Sequence, residues 1–197
     1  MKTGLFGGAF NPVHNGHICL AQNYLNALGL DRIFFIPTFI PPHKSAYEFA
    51  PCEDRANMLK LALKGKEGFE ISDIEFKMKG TSYSFDTISR LKELYPEDEF
   101  YLIVGSDQFL YFENWYKADD ILKMATLCTA AREQEELKRL FDFKNENENL
   151  KNAIISDFDV LEVSSSQIRD MVKNNKSIKD FVPNEVEEYI RNKGLYV

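Results

Sequence analysis

Two histidines and several glycines stand near the start of the chain, where a short predicted strand gives way to a helix. His14 and His17 flank Gly16, and a pair of glycines opens the segment before them. Glycines after a strand let backbone N–H groups approach an anion, and a following helix directs the positive end of its dipole at the same place. Residues 7–17, called the first loop below, are therefore expected to bind phosphate. They match neither the Walker A pattern nor the dinucleotide-binding fingerprint.

The three histidines of the chain, His14, His17 and His43, all lie in its first quarter. One interpretation is that each is a structural histidine satisfied by its own hydrogen bonds. A zinc site is a second, because His14 and His17 have one-turn spacing, although no acidic residue is placed to act as its base. The third is that imidazole N–H groups stabilise charge on a transferring phosphoryl group. The phosphate-binding character of the first loop favours this third interpretation.

Hydrophobic spacing alternates between strand and helix periods along the chain. Strands are predicted at residues 2–6, 32–36, 69–71 and 100–104, and near 125–130. Helices are predicted at about 18–28, after Pro51, from an N-cap at Ser84 to before Pro96, near 118–124, after Ser164, and from Pro183 to Gly194. This alternation predicts an α/β fold with a doubly wound, mainly parallel sheet, whose ligands bind beyond the carboxyl ends of the strands. The polar residues 143–149 lack periodicity and are predicted to be an exposed surface stretch.

Composition narrows the class of protein. Residues 1–197 fit a single domain with a sizeable core. No apolar run approaches the roughly 18 residues of a membrane helix, and the N-terminal segment lacks the core of a secretory signal, so we expect a cytoplasmic protein with no membrane partner. The net charge of −7 is the wrong sign for a nucleic-acid binder. Three scattered cysteines are expected to be reduced, mostly buried thiols and not a zinc site.

Five ordered motifs resemble those of the bacterial nicotinate-nucleotide adenylyltransferases, and the match runs nearly from end to end. The first, His14-Asn15-Gly16-His17, is similar to the signature of the wider HxGH nucleotidyltransferases. The others are Pro41-Pro42-His43-Lys44, Ser82-Tyr83-Ser84, the segment from Gly105-Ser106-Asp107 to Trp115-Tyr116, and residues 163–169. Residues 182–196 also resemble the helix and tail that end this family's chains. The resemblance implies a Rossmann-like nucleotidyltransferase fold with a C-terminal helical segment.

The same resemblance implies transfer of the adenylyl group of ATP to nicotinate mononucleotide, giving nicotinate adenine dinucleotide and pyrophosphate in NAD biosynthesis. The catalytic residues it implies are His14, His17, Lys44 and Arg169. The ATP-binding residues are Gly8, Ala9, Phe10, Asp107, Ser164, Ser165, Ser166 and Ile168. The residues implied for nicotinate mononucleotide are Ser82, Tyr83, Ser84, Trp115 and Tyr116. Mg²⁺ is expected to arrive with ATP, with no metal ligand from protein side chains. The sequence leaves the oligomeric state open and is compatible with a homo-oligomer.

The chain departs from the family pattern at three positions. Ala9 stands where the family usually has a hydroxyl residue, and Asn11 stands where it usually has Asp. Arg132 lacks the Pro-Gly that commonly follows the corresponding arginine, so it is given no role. Two alternatives stay open at this point: a related transferase such as a pantetheine-phosphate adenylyltransferase, and a non-catalytic nucleotide-binding module.

Overall fold

The computed structural model of this chain describes residues 1–42, 49–131, 133–158, 161 and 163–197. His43, Lys44 and Arg132 lie outside the described residues. Within these described ranges, six parallel strands form one sheet in the order β3-β2-β1-β4-β5-β6. The strands are β1 (Lys2–Gly8), β2 (Arg32–Pro37), β3 (Phe69–Ile71), β4 (Glu99–Val104), β5 (Ala125–Ala130) and β6 (Ile154–Ser156).

Nine α-helices lie within the described ranges. They are α1 (Asn15–Ala27), α2 (Cys52–Leu63), α3 (Ile74–Met78), α4 (Ser84–Leu94), α5 (Ser106–Leu110), α6 (Ala118–Met124), α7 (Gln134–Glu146), α8 (Ser165–Lys173) and α9 (Asn184–Lys193). Short 3-10 turns are found at Phe112–Asn114 and Glu148–Leu150. In these ranges no helix combines the length and the apolar character that crossing a membrane requires.

Successive residues of the buried strands point to opposite faces of the sheet, so the core has two parts. Phe6 of β1 packs with residues of α1, α2, α8 and α9, whereas its neighbour Leu5 packs with residues of α3, α4, α5, α6 and α7. Helices therefore cover both faces, which confirms the predicted doubly wound, Rossmann-like fold.

The strand order reverses between β1 and β4, where the following connections leave toward opposite sides of the sheet. In doubly wound sheets this reversal opens a crevice at the carboxyl ends of the two strands, and ligands bind there. The first loop follows β1, and the segment beginning at Gly105 follows β4. The fold thus brings two of the predicted motifs to one crevice.

Several predicted elements are confirmed, and others need correction. The strands predicted at 2–6, 32–36, 69–71, 100–104 and near 125–130 are present, and the last helix ends at Lys193 with Gly194 as its C-cap at φ +60°. Residues 143–149 are not simply an exposed stretch, because α7 continues to Glu146 and Phe143 packs on Phe109 with ring centroids 6.0 Å apart. The short elements α3, α5 and β6 were not predicted, and neither was the longer helix α7.

Two helix starts also differ from prediction. The N-cap of α4 is Tyr83, and Ser84 is already the first helical residue. Helix α1 begins at Asn15, which puts His17 in the first turn of the helix and not in a loop. Of the cysteines, Cys128 is buried, whereas Cys19 and Cys52 are partly exposed.

Candidate active site

Gly8 and Phe10 shape the first loop where it leaves β1. A Cβ on Gly8 would lie 3.2 Å from the ring of Phe10, so a larger residue there would displace that ring. Phe10 has φ +47° and is 1% exposed. Its ring packs edge-on against Phe6 and His17, with centroid distances of 5.7 and 5.1 Å. A buried aromatic anchor therefore holds the loop beside the histidines.

His14 and His17 form a reciprocal cap at the start of α1. Nδ1 of His14 accepts the backbone N–H of His17 at 3.3 Å, and Nδ1 of His17 accepts the backbone N–H of His14 at 3.2 Å. The two rings stack with centroids 3.6 Å apart. Because both Nδ1 atoms accept hydrogen bonds, each neutral imidazole carries its proton on Nε2. The two Nε2–H groups are therefore the imidazole donors of this pair.

Gly16 allows another segment to approach α1 closely. A Cβ at this position would lie 3.1 Å from the carbonyl oxygen of Leu161 and 3.1 Å from Cγ1 of Val163. The backbone N–H of Asn15 donates to the carbonyl of Phe181 at 2.8 Å. The residues leading into α8 and α9 therefore pack directly beside the histidine pair.

Hydrogen bonds join the start of α8 to the first loop. The hydroxyl of Ser165 donates to the carbonyl of Pro12 at 2.9 Å, and Nη1 of Arg169 donates to the carbonyl of Asn11 at 3.0 Å. Nη2 of Arg169 also donates to the hydroxyl of Ser166 at 3.1 Å. Arg169, which the resemblance implies is catalytic, and Ser165 and Ser166, which it implies bind ATP, therefore lie together against the first loop.

The other α8 residues have structural roles in this arrangement. Ser164 is the N-cap of α8 and forms a capping box with Gln167, whose backbone N–H donates to the serine hydroxyl at 3.2 Å. Ile168 is fully buried in the core beneath the helix. Capping of α8 thus accounts for the position of the Ser164 hydroxyl.

A buried arginine that the sequence analysis missed lies behind the first loop. Arg55 of α2 is 2% exposed, and it donates to the carbonyl oxygens of Ala9 at 2.8 Å and Ala50 at 3.2 Å. It also contacts Sγ of Cys52 at 3.1 Å. An arginine in an amphipathic helix is normally solvated, so the sequence carries no signal of this role. Its charge adds a positive potential behind the loop.

An apolar cavity of about 550 Å³ opens at the crevice between β1 and β4. All five residues that the resemblance assigns to the acceptor line it, namely Ser82, Tyr83, Ser84, Trp115 and Tyr116. The rings of Tyr83 and Tyr116 lie 5.1 Å apart, and Trp115 packs on Phe112 at 5.3 Å. Gly8 and Ala9 also line the cavity, so it is continuous with the first loop.

A second missed residue, Glu75 of α3, lies in the wall of this cavity at 7% exposure. The hydroxyl of Thr87 donates to Oε1 of Glu75 at 2.9 Å. Burial raises the pKa of this carboxyl above its ordinary value of 4.5, and the shift is partly offset by hydrogen bonds from Ser82, Thr87 and the Phe39 backbone and by the charge of Arg55. A lone acidic residue in a charged five-residue helix gives no sequence signal of burial.

Asp107 and Lys44 are the remaining site residues that the resemblance implies. Asp107 is exposed in the first turn of α5, and the N-cap there is Gly105, so Asp107 is not the cap. A Cβ on Gly105 would lie 2.7 Å from Oδ1 of Asp107, so a larger residue there would displace this exposed carboxylate. Lys44 lies outside the described residues. Among the residues the structure describes, no group of three or more His, Cys, Asp or Glu could hold a metal ion.

The chain is similar to known proteins over nearly its whole length. The family model described as cytidylyltransferase-like matches residues 5–171. The nicotinate-nucleotide adenylyltransferase of Bacillus subtilis is 35% identical over 195 residues, which cover 99% of this chain and 98% of that protein. A Bacillus licheniformis protein named as a probable nicotinate-nucleotide adenylyltransferase is 38% identical with the same coverage.

The fold agrees equally well with a solved structure. The nicotinic acid mononucleotide adenylyltransferase of Plasmodium falciparum, in complex with NaAD, superposes with a TM-score of 0.79 at 19% identity. The alignment covers 100% of this chain and 98% of that one. Because the family model matches most of the chain and relatives at 35% and 38% identity cover it nearly in full, the chain belongs to the cytidylyltransferase-like family and, within it, to the nicotinate-nucleotide adenylyltransferases.

Proposed function

We propose that this chain transfers the adenylyl group of ATP to nicotinate mononucleotide, producing nicotinate adenine dinucleotide and pyrophosphate. The observation that supports this most strongly is the continuity of the first loop with the aromatic cavity, since Gly8 and Ala9 line the same space as Trp115 and Tyr116. An acceptor with an aromatic ring at one end and a phosphate at the other needs both kinds of surface. We expect the enzyme to act in the cytoplasm and to use the Mg²⁺ complex of ATP.

The reaction is an in-line substitution at phosphorus. A phosphate oxygen of the mononucleotide attacks the α-phosphorus of ATP, a new P–O bond forms, and the bond to the β-phosphate oxygen breaks, with its electron pair leaving on pyrophosphate. An ionised phosphate needs no strong base, so catalysis depends on positioning and charge stabilisation. His14 and His17 donate from Nε2 to oxygens of the α- and β-phosphates, whose charge grows as the bond breaks.

Cations and hydrogen-bond donors hold the remainder of ATP. Lys44 and Arg169 neutralise the departing pyrophosphate, and the buried charge of Arg55 supports the loop from behind. The hydroxyls of Ser165 and Ser166 and the N-terminus of α8 bind phosphate oxygens, and Asp107 binds the ribose hydroxyls. Mg²⁺ enters as part of the nucleotide, held by phosphates and water, because the donors around the first loop are N–H and hydroxyl groups and not a carboxylate cage.

The acceptor ring binds in the aromatic cavity. Its cationic nitrogen is attracted to the faces of Trp115, Tyr116 and Tyr83. Its carboxylate is bound by backbone N–H groups at the start of α4, where the first-turn donors have no partner within the helix and the side chain of the N-cap residue Tyr83 makes no capping hydrogen bond. This end of the cavity thus favours the acid over its amide.

An acceptor panel tests the function. The whole chain, residues 1–197, taken as one nucleotidyltransferase domain, is incubated with ATP, Mg²⁺ and one acceptor at a time, and pyrophosphate release is measured. We expect rapid release with nicotinate mononucleotide and much slower release with nicotinamide mononucleotide. Faster release with pantetheine phosphate would overturn the acceptor assignment. Binding of ATP without release for every acceptor would instead indicate a nucleotide-binding module.

A further inference from the structure

Asn11 lies in the middle of the first loop and joins it to three distant parts of the chain. Its backbone carbonyl accepts a hydrogen bond from Nη1 of Arg169 at 3.0 Å. Its side-chain oxygen Oδ1 accepts two hydrogen bonds, from the backbone N–H of Ala50 at 3.0 Å and from the hydroxyl of Tyr196 at 2.8 Å. Asn11 is 1% exposed and its partners are partly buried, so these bonds are stronger than the same bonds in open water.

Tyr196 reaches Asn11 from the segment that follows α9. The backbone N–H of Leu195 donates to the carbonyl of Ile190 at 3.0 Å, and Gly194 closes the helix in the left-handed region. Tyr196 itself has φ +68°, a conformation that a non-glycine residue adopts only when its surroundings hold it there. The hydrogen bond to Asn11 is a contact that fixes this residue.

The surroundings of Tyr196 keep its phenol a hydrogen-bond donor. Burial raises its pKa above the ordinary value, while the nearby charges of Arg169 and Arg55 oppose the shift. The phenol therefore lies close to both arginines that contact the first loop, one through the Asn11 carbonyl and one through the Ala9 carbonyl. It stays protonated at neutral pH and can donate to Asn11.

We propose that Tyr196 is a positioning residue for adenylyl transfer, which holds Asn11, and through it the first loop and Arg169, in the arrangement that receives the phosphates of ATP. This inference rests on the proposed function and deepens it. Both Tyr196 and Asn11 lie outside the five motifs. In this role, neither the hydroxyl of Tyr196 nor the side chain of Asn11 touches the substrate. A positioning role predicts that loss of the Tyr196 hydroxyl lowers kcat/KM for ATP. The acceptor KM should change little, because the acceptor ring binds in the aromatic cavity.

The test removes the hydroxyl from each of two tyrosines, Tyr196 and Tyr189, and compares the kinetics of the two variants. Tyr196→Phe removes only the hydroxyl that donates to Asn11. The matched control is Tyr189→Phe, because Tyr189 also uses its hydroxyl to join α9 to α2, donating to Asp54 at 2.7 Å and accepting from Asn57 at 3.1 Å, with no bond to the first loop. We expect Tyr196→Phe to lower kcat/KM for ATP about three- to tenfold, the usual effect of one hydrogen bond, with the acceptor KM unchanged. Tyr189→Phe should leave both parameters within twofold.

A double-mutant cycle separates the Asn11 contact from a general loss of stability. If Tyr196 acts through Asn11, then Tyr196→Phe should have little further effect in an Asn11→Ala background. Fully additive effects would overturn the proposal, as would an unchanged kcat/KM for ATP in Tyr196→Phe or an equal loss in both tyrosine variants. Calorimetric binding of ATP to each variant, without acceptor, provides a second measurement. It tests Tyr196 even if no acceptor supports transfer, so failure of the proposed function can be told apart from failure of this inference.

Discussion

His14 and His17 each accept a hydrogen bond from the backbone N–H of the other, and this pair of side chains caps the start of α1. The reciprocal bonds of 3.3 and 3.2 Å occupy both Nδ1 atoms, which is the role that Ser and Glu usually share in a capping box. Histidine differs because it has a second ring nitrogen, which takes no part in the cap. This arrangement predicts that structural and catalytic roles of these residues can be separated by substitution.

His17→Ala should lower kcat by about 10²–10³-fold, the usual cost of losing one preorganised donor to a developing negative charge. The KM for ATP should stay within a few-fold, because the Nε2–H group acts more strongly on the transition state than on bound ATP. Steady-state kinetics with varied ATP at saturating acceptor measure both values.

His17→Asn is the informative companion variant. The asparagine side chain is short enough to accept the His14 backbone N–H as Nδ1 does, but it has no group where Nε2 lies. We expect its melting temperature to exceed that of His17→Ala while its kcat stays equally low. If His17→Asn kept a near-normal kcat, the histidine would be a cap only and its catalytic role would be wrong.

Arg169→Met and Lys44→Met should impair ATP use far more than acceptor binding, since only ATP carries β- and γ-phosphates. We expect the KM for ATP to rise about tenfold or more for either variant, as for loss of one charge-assisted hydrogen bond. Arg139→Met, at an exposed position on α7, is the control and should change neither KM. A rise confined to the acceptor KM would place the substituted residue at the other end of the site.

The sequence reveals the first loop because its chemistry is local. Glycine, histidine and the strand-to-helix transition lie within eleven consecutive residues, 7–17, and the five acceptor residues form two short runs. Arg55 and Glu75 could not be predicted in this way. Their burial depends on how segments after β1, β2 and α3 pack together, and no periodicity within α2 or α3 records those contacts. Asn11 is similar, because its partners are 39 to 185 residues away.

Glu75 predicts a pH dependence of stability. Its pKa is raised in the folded state, so folded protein holds the proton more tightly than unfolded protein does. The contribution of Glu75 to stability is fully present below pH 4.5, where both states are protonated, and it is lost as pH rises through the folded-state pKa. The neutral Glu75→Gln variant lacks this loss. Its melting temperature relative to the unsubstituted protein should therefore increase between pH 5 and pH 8.

Thermal unfolding at several pH values measures this difference. For a chain of this size, 1 kcal/mol corresponds to about 2–4 °C in melting temperature, so the shift is within reach of calorimetry. Glu67→Gln, an exposed position between α2 and β3, is the control and should show a flat difference. A flat difference for Glu75→Gln as well would mean that Glu75 is ionised in the fold as it is in the unfolded chain.

Trp115 is the only tryptophan of the chain, and it lines the aromatic cavity beside Tyr116 while packing on Phe112. A ring with a cationic nitrogen gains about 0.5–2 kcal/mol from an aromatic face. Trp115→Ala should therefore raise the acceptor KM about tenfold, with little change for ATP, because tenfold corresponds to about 1.4 kcal/mol. Trp115→Phe keeps an aromatic face and should recover part of the loss. The same residue reports binding directly, since nicotinate mononucleotide should perturb its fluorescence in the unsubstituted protein.

The control for this last prediction is Phe141→Ala, an aromatic residue that is 42% exposed on α7 and should leave the acceptor KM unchanged. Circular dichroism of each variant checks that the fold is retained, because the contact of Trp115 with Phe112 also contributes to the core. A folded Trp115→Ala protein with a normal acceptor KM would remove Trp115 from the acceptor site. Equal use of nicotinate and nicotinamide mononucleotide by the unsubstituted protein would show that backbone N–H groups at the start of α4 do not select the carboxylate.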